Sequence, residues 1–252
     1  MKKPVLFIAL CLSLILSTAC SNSTSDEFEE ANGDVKEKLL KSVTVNSNGD
    51  YNESRTITLT YNNQGALSTI SNGEESSVLI YENNSLTNIT GGGESASIED
   101  ISDSPYDAFE TGIPLEYDNN GNPTLIEFIE ESYDYETDSY YNKVYTAEVS
   151  YDKAPNPYYY TLESAGIISA MDKIKLNFSL TSSPELVKAK SLFPVNNPSQ
   201  IIYKNNEGDL LLTLTANYDY DDEQYPETAT ITAVSTEYNE TSIVTAIYSY
   251  LK

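Results

Sequence analysis

Along most of its 252 residues this chain alternates apolar and polar side chains with a period of two, and short asparagine- and glycine-rich segments interrupt the alternation. Ile57, Leu59 and Tyr61 fall on one side, Thr56, Thr58 and Thr60 on the other. Ala147, Val149 and Tyr151 oppose Glu148 and Ser150, and Ile174, Leu176, Phe178 and Leu180 oppose Lys175, Asn177 and Ser179. Leu210, Leu212, Leu214, Ala216 and Tyr218 alternate with Leu211, Thr213, Thr215 and Asn217. Successive side chains of an extended strand point to opposite faces, so this pattern dictates half-buried strands. The interruptions are Asn62-Asn63-Gln64-Gly65, Asn72-Gly73, Asn119-Asn120-Gly121-Asn122 and Asn205-Asn206-Glu207-Gly208. Asparagine and glycine tolerate the positive φ of tight hairpins, and connections this short force antiparallel neighbours.

Aligning the turns exposes a loose repeat: a strand, a tyrosine, an Asn/Asp-rich turn, then leucine. Its copies are LTYNNQGALSTI (59–70), LIYENNSLTNIT (79–90), LEYDNNGNPTLIEF (115–128) and IIYKNNEGDLLLTL (201–214). Two diverged copies are VSYDKAPNPYYYTL (149–162) and NYDYDDEQYPETATI (217–231), the second with Gln224 where a glycine belongs. A hairpin cannot bury its own apolar face, so the units must merge side by side. The expected fold is all-β: an antiparallel meander of β-hairpins forming an open curved sheet or partial barrel, with one or two short helices. Ser183-Pro184-Glu185 reads as a helix start, giving a helix over 184–193 that plugs one end. Leu162–Met171 is a second helix candidate, and Val35–Val45 reads as a short helix running into the first strand.

The hairpin units resemble the tyrosine–aspartate repeats of large bacterial shell-forming proteins. The whole chain from about residue 43 resembles Bacteroidetes-type lipoproteins that carry a porin-like domain of unknown function. Tyr151-Asp152-Lys153-Ala154-Pro155-Asn156-Pro157, Asn196-Asn197-Pro198 and Tyr220-Asp221-Asp222-Glu223-Gln224-Tyr225-Pro226 carry that likeness. It implies an open curved antiparallel sheet and no reaction. A spanning pore is not implied by the strands themselves. One face of each is mostly Thr, Glu, Asn or Ser, whereas a membrane barrel needs an outward apolar band.

The N-terminus reads as a leader. Met1-Lys2-Lys3 is followed by an apolar run from Val5 to Leu16, interrupted only by Ser13. That run is too short to span a bilayer, which takes about 20 residues, and suits a signal-peptide core. Ser17-Thr18-Ala19-Cys20 resembles a bacterial lipobox, with Leu16 one residue early, and the resemblance implies that Cys20 is acylated. The expected organisation is a signal peptide over 1–19, a lipidated Cys20 with an acidic flexible tether over 20–40, and one β-hairpin-repeat domain over 41–252. Asp26, Glu27, Glu29 and Glu30 resemble the surface-export signal of such lipoproteins. The expected location is the outer membrane, exposed at the cell surface, with the lipid anchor as the membrane contact.

Net charge is −25, and nearer −27 once Lys2 and Lys3 leave. A phosphate backbone is repelled by such a chain, so nucleic acid is excluded as a partner. The chain has no histidine, and its second cysteine, Cys11, lies inside the leader. This removes Ser-His-Asp and Cys-His catalysis and histidine-based zinc sites. No catalytic residue is assigned, and no cofactor is expected. Calcium stays open at Asp219, Asp221 and Asp222, whose oxygens share one acidic segment. Twenty-one tyrosines form the remaining signal. Runs at Tyr140, Tyr141 and at Tyr158, Tyr159, Tyr160 place rings on both faces of a strand, as core on one side and as a stacking platform on the other. They are the candidate contact for a glycan or a protein partner. The leading expectation is a non-enzymatic binding or accessory lipoprotein. A purely structural surface scaffold and a carboxylate-based glycoside hydrolase remain as alternatives; oligomeric state is not legible.

Overall fold

The computed structural model describes residues 24–33, 35–47, 54–91, 94–97, 106–107, 112–172, 174–177, 186–236 and 238–252. Its main feature is a single sheet of 13 strands. The N-terminal half supplies β1 (Leu40–Ser47), β2 (Ser54–Tyr61), β3 (Leu67–Ser71), β4 (Ser76–Glu82), β5 (Ser85–Gly91) and β6 (Glu94–Ser97). The C-terminal half supplies β8 (Ile113–Tyr117), β9 (Pro123–Asp134), β10 (Ser139–Pro155), β13 (Asn196–Asn205), β14 (Leu210–Tyr220), β15 (Pro226–Ser235) and β16 (Glu240–Tyr250). A second small sheet joins β7 (Tyr106–Asp107), β11 (Lys175–Asn177) and β12 (Leu186–Lys188), and its β7–β11 pair is parallel.

Strands β1 and β16, the first and last of the sheet in chain order, lie side by side in its middle. β1 pairs antiparallel with β2 on one side and with β16 on the other, Val45 opposite Ala246. β2 to β6 then step outward one way, and β15, β14, β13, β10, β9 and β8 the other way. The edges β6 and β8 do not pair, so the sheet stays open. The all-β meander expected from the alternation is what forms. Register puts Leu59, Leu79, Ala147, Val149, Ala229 and Ala246 on one face, all of them buried. The opposite face of β1, β2 and β14 to β16 is dominated by Thr44, Thr56, Thr58, Thr215, Thr230 and Thr245. A row of hydroxyls is the wrong surface for lipid tails. Among the described residues, no helix is long and apolar enough to cross a membrane.

Because strands alternate in direction, the turns fall on two rims. One rim carries the turns after β2, β4, β8 and β14 together with the helices; the other carries the turns after β3, β9, β13 and β15. The helices are α1 (Thr24–Asn32), α2 (Pro157–Ser164) and α3 (Ile167–Met171). The Asn156 side chain accepts from the Tyr158 N–H at the start of α2, and Pro157 sits where no amide partner is needed. Ala165, Ile167 and Ala170 cover Leu40, Val43, Leu59, Leu67, Leu79 and Leu86, so the helical insert plugs the N-terminal half of the sheet.

Two helix expectations are corrected. Residues 35–39 are not helical, and β1 starts directly at Leu40. Within the expected 184–193 helix, Leu186–Lys188 is strand β12 and Ala189–Leu192 a single 3-10 turn; pairing of Leu186, Val187 and Lys188 with β11 takes those residues' backbone groups. The Ser183-Pro184-Glu185 start lies outside the described residues, as do the leader, Cys20 and Phe178–Leu180. Part of the expected tether is ordered: α1 occupies 24–32, with Phe28 stacked on Tyr159 at 5.4 Å and edge-on to Tyr160 at 4.3 Å. Burial of this one ring helps to hold the acidic segment down.

Candidate functional site

The tyrosine content has a structural cause that register makes visible. At the end of β2, the Tyr61 hydroxyl donates to the Leu40 carbonyl at the start of β1, 2.6 Å away. At the end of β4, Tyr81 reaches the Leu67 carbonyl at 2.6 Å and the Ala165 carbonyl at 3.0 Å, its single proton serving one at a time. Tyr151 on β10 donates to Pro123 of β9 at 2.8 Å, Tyr218 on β14 to Pro198 of β13 at 2.9 Å, and Tyr250 on β16 to Pro226 of β15 at 2.7 Å. Each is a latch from the last turn of one strand to the first residues of its neighbour, always on the helical rim. Burial pushes the Tyr61 and Tyr218 hydroxyls up to about 12, and pushes those of Tyr151 and Tyr250 higher still. Tyr203, from the fourth repeat copy, sits toward the opposite rim and packs 6.1 Å from Phe128 instead.

The predicted tyrosine site divides. Tyr158, Tyr159 and Tyr160 lie on α2 rather than on a strand, and the last two are buried against Phe28. The Asn156-Pro157 cap signal precedes them in the sequence and marks a helix start. Tyr140 and Tyr141 lie at the far end of β10, 68% and 47% exposed, roughly 50 Å away at 3.3 Å per residue. The structure therefore does not bring the two groups into one platform.

The acidic segment resolves into a turn. Asp221 Oδ1 accepts from the Glu223 and Tyr225 N–H groups at 2.9 Å, and its other oxygen pairs with Lys38. Glu223 also pairs with Lys38, and the lysine ammonium lies 5.6 Å from the Tyr225 ring and 5.5 Å from that of Tyr250. Burial opposes the charge on Lys38, but the two carboxylates outweigh it and raise its pKa. Burial also opposes the charge on Asp221; its Lys38 and amide hydrogen bonds win and lower its pKa. Asp219 takes the Thr228 hydroxyl on the outer face, and Asp222 is exposed. Among the described residues no three carboxylates gather as metal ligands. The same geometry recurs in three other turns: Asn62, Asp118 and Asn205 each accept from the amides two and four residues on. The fourth residue takes positive φ, 82° at Gly65, 79° at Gly121, 86° at Gly208, and 66° at Gln224, which stands in for glycine.

The loops of the helical rim are held by a buried asparagine network. Asn122 Oδ1 accepts from the Val195 N–H at 2.7 Å, and its amide donates to Asn196 and Asp118 at 2.9 Å. Asn196 in turn donates to Asn32 at 3.0 Å, which ties α1 to the sheet. Beside this network, Tyr117, Asn120, Tyr159, Lys190 and Phe193 line a mixed pocket of about 420 Å³.

The other candidate is the inner face of the C-terminal half. Ile126, Phe128, Ile201, Tyr203, Leu212, Leu214, Ala216, Ile231, Ala233 and Val244 share that face by register and are only half-buried. Neither core cluster includes them. Within this trough Ile201, Leu214, Ala216, Tyr218 and Ile231 line an apolar pocket of about 210 Å³. No period-two reading could find it, because the pattern shows which residues face inward but not which inward face goes uncovered.

No family model matches the chain, and no curated protein matches it. It is similar in structure to a porin-like protein from Bacteroides uniformis, with 12% identity over 84% of this chain and 98% of that one, at a TM-score of 0.38. A porin-like protein from Bacteroides vulgatus gives 14% identity over 85% and 99%, at 0.35. A LolA superfamily protein from Nitrosomonas europaea gives 10% over 91% and 94%, at 0.26. These are likenesses of outline, too low in identity and TM-score to transfer function.

Proposed function

We propose that this protein is a non-enzymatic binding module of the bacterial outer envelope, tethered through an acylated Cys20, and that its ligand is an extended apolar chain seated on the open inner face of β9–β16. The half-buried aliphatic trough carries this reading. A pocket of about 210 Å³ is smaller than the roughly 300–1,000 Å³ usual for a whole small molecule, so it suits one arm of a chain that continues along the trough. The pocket sets one ring, Tyr218, among the aliphatic side chains of Ile201, Leu214, Ala216 and Ile231, too little stacking surface for a sugar, and the latching tyrosines have their hydroxyls committed to the backbone. A hydrolase pairs two facing carboxyl groups, whereas Asp221 and Glu223 both face the Lys38 ammonium.

The test uses purified residues 21–252 and N-phenyl-1-naphthylamine, an uncharged apolar fluorophore that the acidic surface does not repel. Saturable binding, weakened about tenfold or more by Leu214→Gln with Ile231→Gln in a variant of unchanged far-UV spectrum, supports the assignment. Absence of probe binding to the unmodified protein defeats it.

A further inference from the structure

The longest hairpin outruns the sheet. β8 pairs with β9 only as far as Glu127, and β13 pairs with β10 only from Tyr145 onward. Among the described residues, Ile129–Asp134 and Ser139–Val144 therefore pair only with each other, as a two-stranded ribbon about 18 Å long at 3.3 Å per residue. It points away from the rim at which the chain enters the sheet.

Its tip is built rather than loose. Asp134 Oδ1 accepts from the Glu136 N–H at 2.8 Å, and its second oxygen takes the Thr137 hydroxyl at 2.8 Å, closing the turn. Tyr133 is directly opposite Tyr140 on the outer face, the rings 4.9 Å apart and edge-to-face; Tyr135 packs on Tyr133 in the same way, also at 4.9 Å. The Tyr133 hydroxyl is fixed by Asp138. Tyr135 is nonetheless 89% exposed. Three rings held in one arrangement and left in solvent lose little conformational freedom on docking, which is how tyrosine anchors an interface. The ribbon carries Glu130, Glu131, Asp134, Glu136 and Asp138 against Lys143 alone. That charge keeps its two free edges from pairing with a second copy, since like charges directly opposite repel. It also selects the partner.

We propose that the ribbon tip is a docking finger for an envelope protein bearing a cationic groove, with Tyr133, Tyr135 and Tyr140 entering the groove and Glu131, Glu136 and Asp138 facing its Lys and Arg side chains. Arginine suits both components, because its guanidinium stacks on tyrosine and pairs with carboxylates. This inference is separate from the apolar seat on the inner face.

The experiment places a benzophenone photo-crosslinker at position 135 of the full-length lipidated protein in its native cells, with position 230 on the outer face of β15 as control. The expected result is one cross-linked protein at 135, absent at 230, whose cross-linked peptide has net positive charge. Binding of that purified protein should then weaken with salt and fall at least tenfold in the Tyr133→Ala, Tyr140→Ala double variant. The thermal midpoint of the double variant should stay within a few degrees, since the ribbon lies outside the core. Cross-linking to a second copy of the chain or to lipid overturns the proposal. So does an uncharged or acidic partner segment, or the absence of a discrete product.

Discussion

Replacing Asn122 by alanine is expected to cost more than any surface change of the same size. Asn122 is fully buried, and its carboxamide satisfies four groups at once: the Val195 and Asn196 N–H groups at 2.7 and 3.3 Å, and the Asn196 and Asp118 side chains at 2.9 Å. The losses are unequal. Asp118 lies in an exposed turn and recovers a water, and Asn196 Oδ1 keeps the Asn120 amide at 3.0 Å. The buried Val195 N–H has no substitute, and an orphaned buried donor costs about 1–3 kcal/mol. With the small cavity added, the expected loss is about 2–4 kcal/mol, or roughly 5–15 °C in thermal midpoint for a chain of this size. Urea denaturation followed by circular dichroism measures it, with an unchanged m-value required. Asn122→Asp separates the contributions. It keeps the acceptor for Val195 but sets a second carboxylate against Asp118. One of the two carboxyls then has a folded pKa above its unfolded value, so the variant should be least stable near pH 7 and recover as pH falls toward 4. A loss below about 1 kcal/mol for the alanine variant, or pH-independent behaviour for the aspartate variant, would show that the network does not hold the rim.

Gln224→Gly should stabilise the protein by about 0.5–1.5 kcal/mol, because it relieves a side chain held at φ 66° in a turn where the equivalent positions are glycine; an equal or lower urea midpoint would contradict this. Asp221 and Glu223 have folded pKa values below their unfolded ones, so their contribution is complete above about pH 4 and is lost as pH falls through the folded values. Midpoints measured from pH 7 to pH 2 should therefore drop below pH 4, and the drop should shrink in Lys38→Met, which itself starts lower at pH 7.

The hairpins were legible because a period of two and an Asx-to-glycine turn are local facts. Tyr61, Tyr81, Tyr151 and Tyr218 could be seen to recur before turns, but not as latches, since their acceptors lie on neighbouring strands. Three successive aromatic residues favour a strand over Tyr158–Tyr160, but Asn156-Pro157 is the stronger positional signal and starts a helix there. Asp219, Asp221 and Asp222 looked like one oxygen cluster; alternation along β14 puts Asp219 on the outer face, and the turn amides occupy Asp221. The neighbours of β1 were hidden for a different reason. Its pairing with β16 spans almost the whole chain, and no local pattern encodes a partner some two hundred residues away.

That central seam makes assembly all-or-nothing. Val43 and Val45 have to wait for Tyr248 and Ala246, some two hundred residues further along the chain, and the Leu251 amide closes onto the Leu39 carbonyl at 2.8 Å. A chain emerging N-terminus first holds two half-sheets with raw edges until the final strand arrives, at the slow end of folding topologies. Clipping the last few residues should therefore unmake the molecule rather than trim it. Joining residue 39 to residue 251 with a short linker and opening a hairpin elsewhere should be tolerated, because those two positions are already neighbours.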